Sequence, residues 1–149
     1  MPNRRTHTTV GAVSGGALAA FHARRLAPGD QAVEAIGGML AGAWTGQLPD
    51  LLEPATSPCH RDVAHSCAVL TAVASLALEQ WRTNCRAYAD EYRCRRTGSE
   101  LTGGEYLLLT LYETVWRLIA GALAGLQAGY ASHLLLDGCT PSGLPVFLR

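Results

Sequence analysis

The segment Ser132-His133-Leu134-Leu135-Leu136-Asp137 sets an imidazole and a carboxylate four residues apart. On a helix that spacing places both side chains on one face. Imidazole beside carboxylate suits a borderline metal such as zinc, with manganese and iron as alternatives. The leucines around the pair predict burial, and a buried carboxylate needs a partner because its desolvation is costly. A His–Asp hydrogen bond between helices meets the same need without a metal.

Three further stretches carry the same residue types. Cys59-His60-Arg61-Asp62-Val63-Ala64-His65-Ser66 holds two histidines five residues apart. On one ideal helix these point about 140° apart. Both face one site only if His60 sits before the helix begins, and Pro58 favours a start there. Leu48-Pro49-Asp50 presents an acid in a proline-marked loop, with Glu53 nearby, where a turn or cap role is the alternative. Thr6-His7 lies close to the N-terminus. Four of the five histidines fall in these stretches. The exception, His22, reads as an interhelical or surface residue. The candidate metal set is therefore His7, Asp50, His60, His65, His133 and Asp137.

Helices must position this set, because the periodicity is helical and no strand alternation occurs. A first helix is predicted from Thr8 to about Leu26, ended by Pro28-Gly29. A second runs from Asp30, as N-cap, to about Thr45. It carries Gly37, Gly38 and Gly42, which weaken a lone helix but allow close contact in a bundle. This helix is expected to be central. Residues 46–58 read as a loop with three prolines. A third helix runs from about Arg61 to Asn84 and can extend to Arg93. A polar break spans Arg95 to Gly104, and a last helix runs from about Gly104 to Leu136. The expectation is an all-α, single-domain bundle of four to five helices covering residues 1–149.

Composition bounds the function. The chain has 149 residues, 48% hydrophobic and 16% charged, against about a quarter charged in an ordinary soluble domain. Much of it is meant to be buried, in protein or in lipid. Net charge is zero, so no global field points to a polyanion, and no specific nucleic-acid site is evident. The Arg93–Arg96 run, with Tyr88 and Tyr92, reads as a solvated helix face. Five cysteines with no C-x-x-C pair make a poor disulfide framework and read as reduced thiols. The N-terminal stretch resembles a signal peptide superficially, but His7 and its Gly/Ala richness argue against one. The best membrane-spanning run, Leu118–Leu136, is broken by Gln127 and His133. A globular helical core is favoured, with a membrane-embedded form as the alternative. Phosphate-loop, dinucleotide and nucleophile-elbow motifs are absent from the sequence.

Thr6-His7-x-x-x-Gly11, Leu48-Pro49-Asp50, His60-Arg61-x-x-x-His65-Ser66 and Gly129-Tyr130-x-x-His133-Leu134-x-x-Asp137-x-x-Thr140-Pro141-x-Gly143 together resemble the YdjM/DUF457 family. The match runs in order along nearly the whole chain. Leu52 stands where the family carries a second acid, and Ala64 where it carries a threonine. The resemblance implies an inner-membrane-associated, metal-dependent hydrolase, on the cytoplasmic side, soluble or membrane-bound. More distantly, the order His, Asp, His, His-x-x-x-Asp is similar to the zinc-dependent phospholipase C and P1-type nuclease group, all-helical phosphodiesterases.

On that basis two or more zinc ions would activate water against a phosphoester of a lipid head group or nucleotide. Asp50 is the candidate bridging ligand or base. Arg61 is the candidate phosphate partner, unless it pairs with Asp62 or Glu53. Glu53 is a spare acid, and Ser66 and Thr140 are candidate supporting hydrogen-bonders or helix caps. The competing expectation is a non-enzymatic, membrane- or partner-binding protein with a structural metal. The sequence does not indicate an oligomeric state.

Overall fold

The computed structural model describes residues 4–52, 76–98 and 100–139. These residues form five helices: α1 (Arg4–His22), α2 (Pro28–Thr45), the short α3 (Leu48–Leu52), α4 (Leu76–Gly98) and α5 (Gly103–Gly138). No strand occurs among the described residues, so the all-helical expectation holds.

Several boundaries differ from the sequence expectation. α1 starts at Arg4 rather than Thr8 and ends at His22. α2 begins at Pro28, with Ala27 as an extended N-cap that makes no side-chain cap bond. Proline is preorganised for the first helical position and needs no N–H there. Asp30 therefore lies inside the first turn instead of capping it. The expected loop after Thr45 contains α3. The polar break expected from Arg95 does not begin until Gly98. Arg93 and Arg96 hold that last turn in place by bonding Glu113 of α5. α5 starts from a capping box, in which Thr102 Oγ1 accepts from Glu105 N–H and Glu105 accepts from Thr102 N–H at 2.9 Å.

The three long helices α1, α2 and α5 pack with their backbones in contact. A Cβ on Gly11 would lie 2.3 Å from the Gly42 carbonyl oxygen, and one on Gly42 would lie 2.2 Å from that of Gly11. Gly15 meets Gly38 in the same way. Numbers rise along α1 as they fall along α2, so these two helices are antiparallel. Gly121 lies against Glu34, Gly125 against Gly38 and Gly129 against Gly42, which makes α5 parallel to α2. α2 is the central helix, as its glycines implied. α4 lies along α5, which therefore touches α1, α2 and α4.

The interior is built of small and polar residues, and α1, α2 and α5 carry large apolar side chains on the outside, whereas the exposed face of α4 is largely polar. Buried positions include Ala19, Ala23, Ala120, Ala124, Glu34, Arg117 and His133. Val13, Phe21, Ile36, Leu40, Leu111 and Ile119 face outward. Close packing on small residues with large apolar side chains outside is the arrangement that suits a lipid surround. α5 is long and apolar enough to cross a membrane, with a mean hydropathy of 1.4 over its best 18 residues. Only 28% of that window is buried, unlike the core helix of a water-soluble bundle. The helix, Gly103–Gly138, is longer than the Leu118–Leu136 stretch weighed from sequence.

One end of the bundle is ionic. Glu34, fully buried on α2, accepts two hydrogen bonds from Arg86 Nε of α4, at 2.9 and 3.2 Å. Arg117 of α5 reaches Asp90, Asp30 and Glu34. Arg93 bridges Asp30 and Glu113. Hydrogen bonding to Asp30 first, and then to Glu113, holds the Arg93 guanidinium above its ordinary pKa. Cys85, near this cluster, is buried, and burial raises its thiol pKa, which leaves it a poor nucleophile.

Candidate metal centre

The other end of the bundle gathers imidazoles and carboxylates. His7 comes from the first turn of α1, Asp50 from α3, and His133 and Asp137 from the last turns of α5. The i, i+4 pair shares a face as its spacing predicted: His133 Nε2 lies 3.6 Å from Asp137 Oδ2. Asp137 Oδ1 lies 3.7 Å from His7 Nε2, so one carboxylate presents an oxygen to each imidazole. Asp50 Oδ1 is 3.6 Å from His133 Nε2. One ligand atom each from His7, Asp50 and His133 lies within 4.8 Å of the others.

The two rings stack, with centroids 4.1 Å apart and planes inclined by 28°. Gly46 explains the orientation of one of them. It ends α2 with its N–H donating to Gly42 O at 2.9 Å, while its own carbonyl lies beyond the helix and takes His133 Nδ1 at 2.8 Å. A Cβ at Gly46 would sit 2.6 Å from the His7 carbonyl oxygen, so the turn can approach α1 only without a side chain. With its Nδ1–H donated to Gly46, His133 turns Nε2 toward Asp50 and Asp137. A metal-ligating histidine is typically held by such a bond from its other ring nitrogen.

These residues fit a divalent cation. A lone pair facing two carboxylates is repulsive unless a proton or a cation lies between them. The spacings of 3.6–3.7 Å are too long for hydrogen bonds. They approach the separation, roughly 3.3–3.5 Å, that nitrogen and oxygen donors take around one tetrahedral ion at about 2.0–2.1 Å each. His7, His133 and Asp137 are buried, whereas the Asp50 side chain is 48% exposed. The cluster therefore opens on the α3 side.

His60, His65, Glu53, Arg61, Ser66 and Thr140 lie outside the described residues. Of the six metal candidates, the structure brings together His7, Asp50, His133 and Asp137. Sequence reasoning missed the Gly46 carbonyl, whose only signal was a glycine directly after an apolar helix. It also missed the Glu34 cluster, signalled by one acid inside the Gly/Ala-rich stretch of α2. His22, read as interhelical or surface, is half-buried beside Phe21.

The family model described as YdjM inner membrane protein matches residues 1–148. No curated protein and no solved structure matches the chain.

Proposed function

This chain belongs to the YdjM inner membrane protein family, and we propose that it is a metal-dependent hydrolase of phosphoester bonds, seated in the membrane by α1, α2 and α5. The observation that carries this reading is the convergence of His7, Asp50, His133 and Asp137 at one end of the bundle, with His133 aimed by Gly46. We take zinc as the preferred ion, with manganese or iron as alternatives, because the donors are two imidazoles and two carboxylates. A bound divalent ion supplies Lewis-acid polarisation of a phosphoryl oxygen and lowers the pKa of water.

The chain's own residues do the rest. Gly46 fixes the tautomer and direction of His133. Asp137 holds both imidazoles in register. Burial of His7, His133 and Asp137 keeps bulk water from these three groups, which strengthens the interactions among them. Asp50, at the open side, is the group able to orient a water molecule toward a substrate. Arg61 remains the proposed partner of a phosphate oxygen, and His60 and His65 the proposed completing ligands. The half-exposed Asp50 favours a catalytic site with an open position over a closed structural one.

The test is hydrolysis of bis-p-nitrophenyl phosphate by purified protein supplied with zinc or manganese. Turnover abolished by chelator and by His133→Ala is expected. Absence of metal-dependent turnover across a broad phosphoester panel would overturn the hydrolase reading and favour a structural metal.

A further inference from the structure

A groove of about 230 Å³ adjoins the candidate metal centre, lined by Arg4, Trp44, Gln47, Asp50 and Leu51. It joins chemically unlike walls. Asp50 belongs to the centre itself. Arg4 brings a permanent positive charge and a planar fork of donors. Its Nε–H donates to Gln47 Oε1, which fixes the guanidinium plane. Its two terminal amino groups have no partner among the described residues. Among the described residues, Trp44 and Leu51 form an apolar wall and are 61% and 65% exposed. Leu40, 68% exposed, lies one turn from Trp44 on the same face of α2 and extends that apolar surface away from the groove.

We propose that this groove is the subsite for the phosphate-bearing head group of a membrane lipid, gripped by Arg4, with the acyl chains lying outside along Trp44, Leu51 and Leu40. Size decides what enters. Pockets that enclose a whole drug-sized ligand begin at about 300 Å³, so this one takes a head group and leaves the chains to lipid. Polarity decides the class. A soluble phosphate would gain nothing from the apolar wall, and a neutral lipid would leave the Arg4 fork unused. Tryptophan at the mouth suits the interfacial level of a bilayer, where its ring is amphipathic. Asp50 repels a bare phosphate, so occupancy requires a cation at the centre. The inference thus rests on the metal-dependent reading and supplies its substrate class.

The test uses full-length protein in detergent micelles with zinc present, in a Trp81→Phe, Trp116→Phe background that leaves Trp44 as the reporter. It is titrated separately with short-chain phosphatidylglycerol, with the diacylglycerol of matching chains, and with glycerol phosphate. Saturable change with phosphatidylglycerol is expected, weakened about tenfold by Arg4→Gln through loss of a charge-assisted bond. The other two ligands should each bind about tenfold more weakly or less. If the background variant does not fold, calorimetry on wild type and Arg4→Gln reads the same affinities. Equal affinity in Arg4→Gln overturns the proposal. Equal affinity for diacylglycerol makes the groove merely apolar, and equal affinity for glycerol phosphate makes its ligand a soluble phosphate; each overturns it too. Zinc titration of the same samples separates the failures. Failure of wild type to bind zinc removes the metal reading and this inference together. Normal zinc binding with Arg4-independent lipid affinity removes this inference alone.

Discussion

The two ends of the bundle both bury acids, and they partner them differently. At the Glu34 end the partners are guanidiniums: Arg86, Arg93 and Arg117 reach Glu34, Asp30 and Glu113. A guanidinium is charged at any accessible pH, so these acids are already neutralised and have no use for a metal. At the Asp137 end, about 24 Å away along α5 by helix rise, the partners are two stacked imidazoles, which when neutral can give a lone pair to a cation. Acids paired with arginine fasten α4 to the bundle, whereas acids facing histidine invite a cation. The same carboxylate chemistry fastens helices at one end and forms a candidate metal site at the other, and the partner type separates the two.

The largest effect expected from disturbing this contrast is at the ionic end. Arg86→Ala leaves Glu34 buried with only the more distant Arg117, at 3.8 Å, and should destabilise by about 3–5 kcal/mol. Thermal unfolding in detergent checks it, and a shift near zero would show that α4 is not fastened there. At the other end, removing metal should act through mass action instead. Stripping zinc held at about a hundred times its Kd should cost about 2.7 kcal/mol, read as a chelator-induced fall in Tm that is absent in His133→Ala. In the backbone packing beside the ionic end, Gly121→Ala places a Cβ 1.9 Å from the Glu34 carbonyl oxygen. The helices must part, and a loss of about 1–3 kcal/mol should outweigh the helix-propensity gain. A stabilised Gly121→Ala would mean that the helices are not in backbone contact. The smallest effect belongs to an exposed pair: Glu91→Ala, opposite Arg95 on the surface of α4, should change stability by no more than about 0.5 kcal/mol.

Local pattern made part of this legible in the sequence. His133 and Asp137 were readable as a pair because four residues is the repeat of a helix face. Gly37, Gly38 and Gly42 were readable as a close-packing surface because such glycines cost helix stability unless a neighbour needs the space. Membrane leaning was weighed on Leu118–Leu136 alone, whereas α5 as a whole is long and apolar enough to cross a membrane and its exposed apolar residues Leu107, Leu108, Leu111 and Val115 lie upstream of that stretch. Asp30 was misread as a cap because a good capping residue competed with Pro28, and the proline's fixed backbone won. The contacts that orient and fasten were not legible at all. Gly46 to His133 spans 87 residues and Glu34 to Arg86 spans 52, and no local periodicity encodes such pairings. Arg4 gains meaning only once α3 folds beside it.

The central claim is that the imidazole-bearing end holds a cation through His7, Asp50, His133 and Asp137. Isothermal titration of chelator-stripped protein with zinc tests it most directly. The account predicts saturable binding of at least one ion per chain, lost in His133→Ala while Arg86→Ala, if folded, retains it. No binding by the wild-type protein, or an isotherm unchanged by His133→Ala, would contradict it.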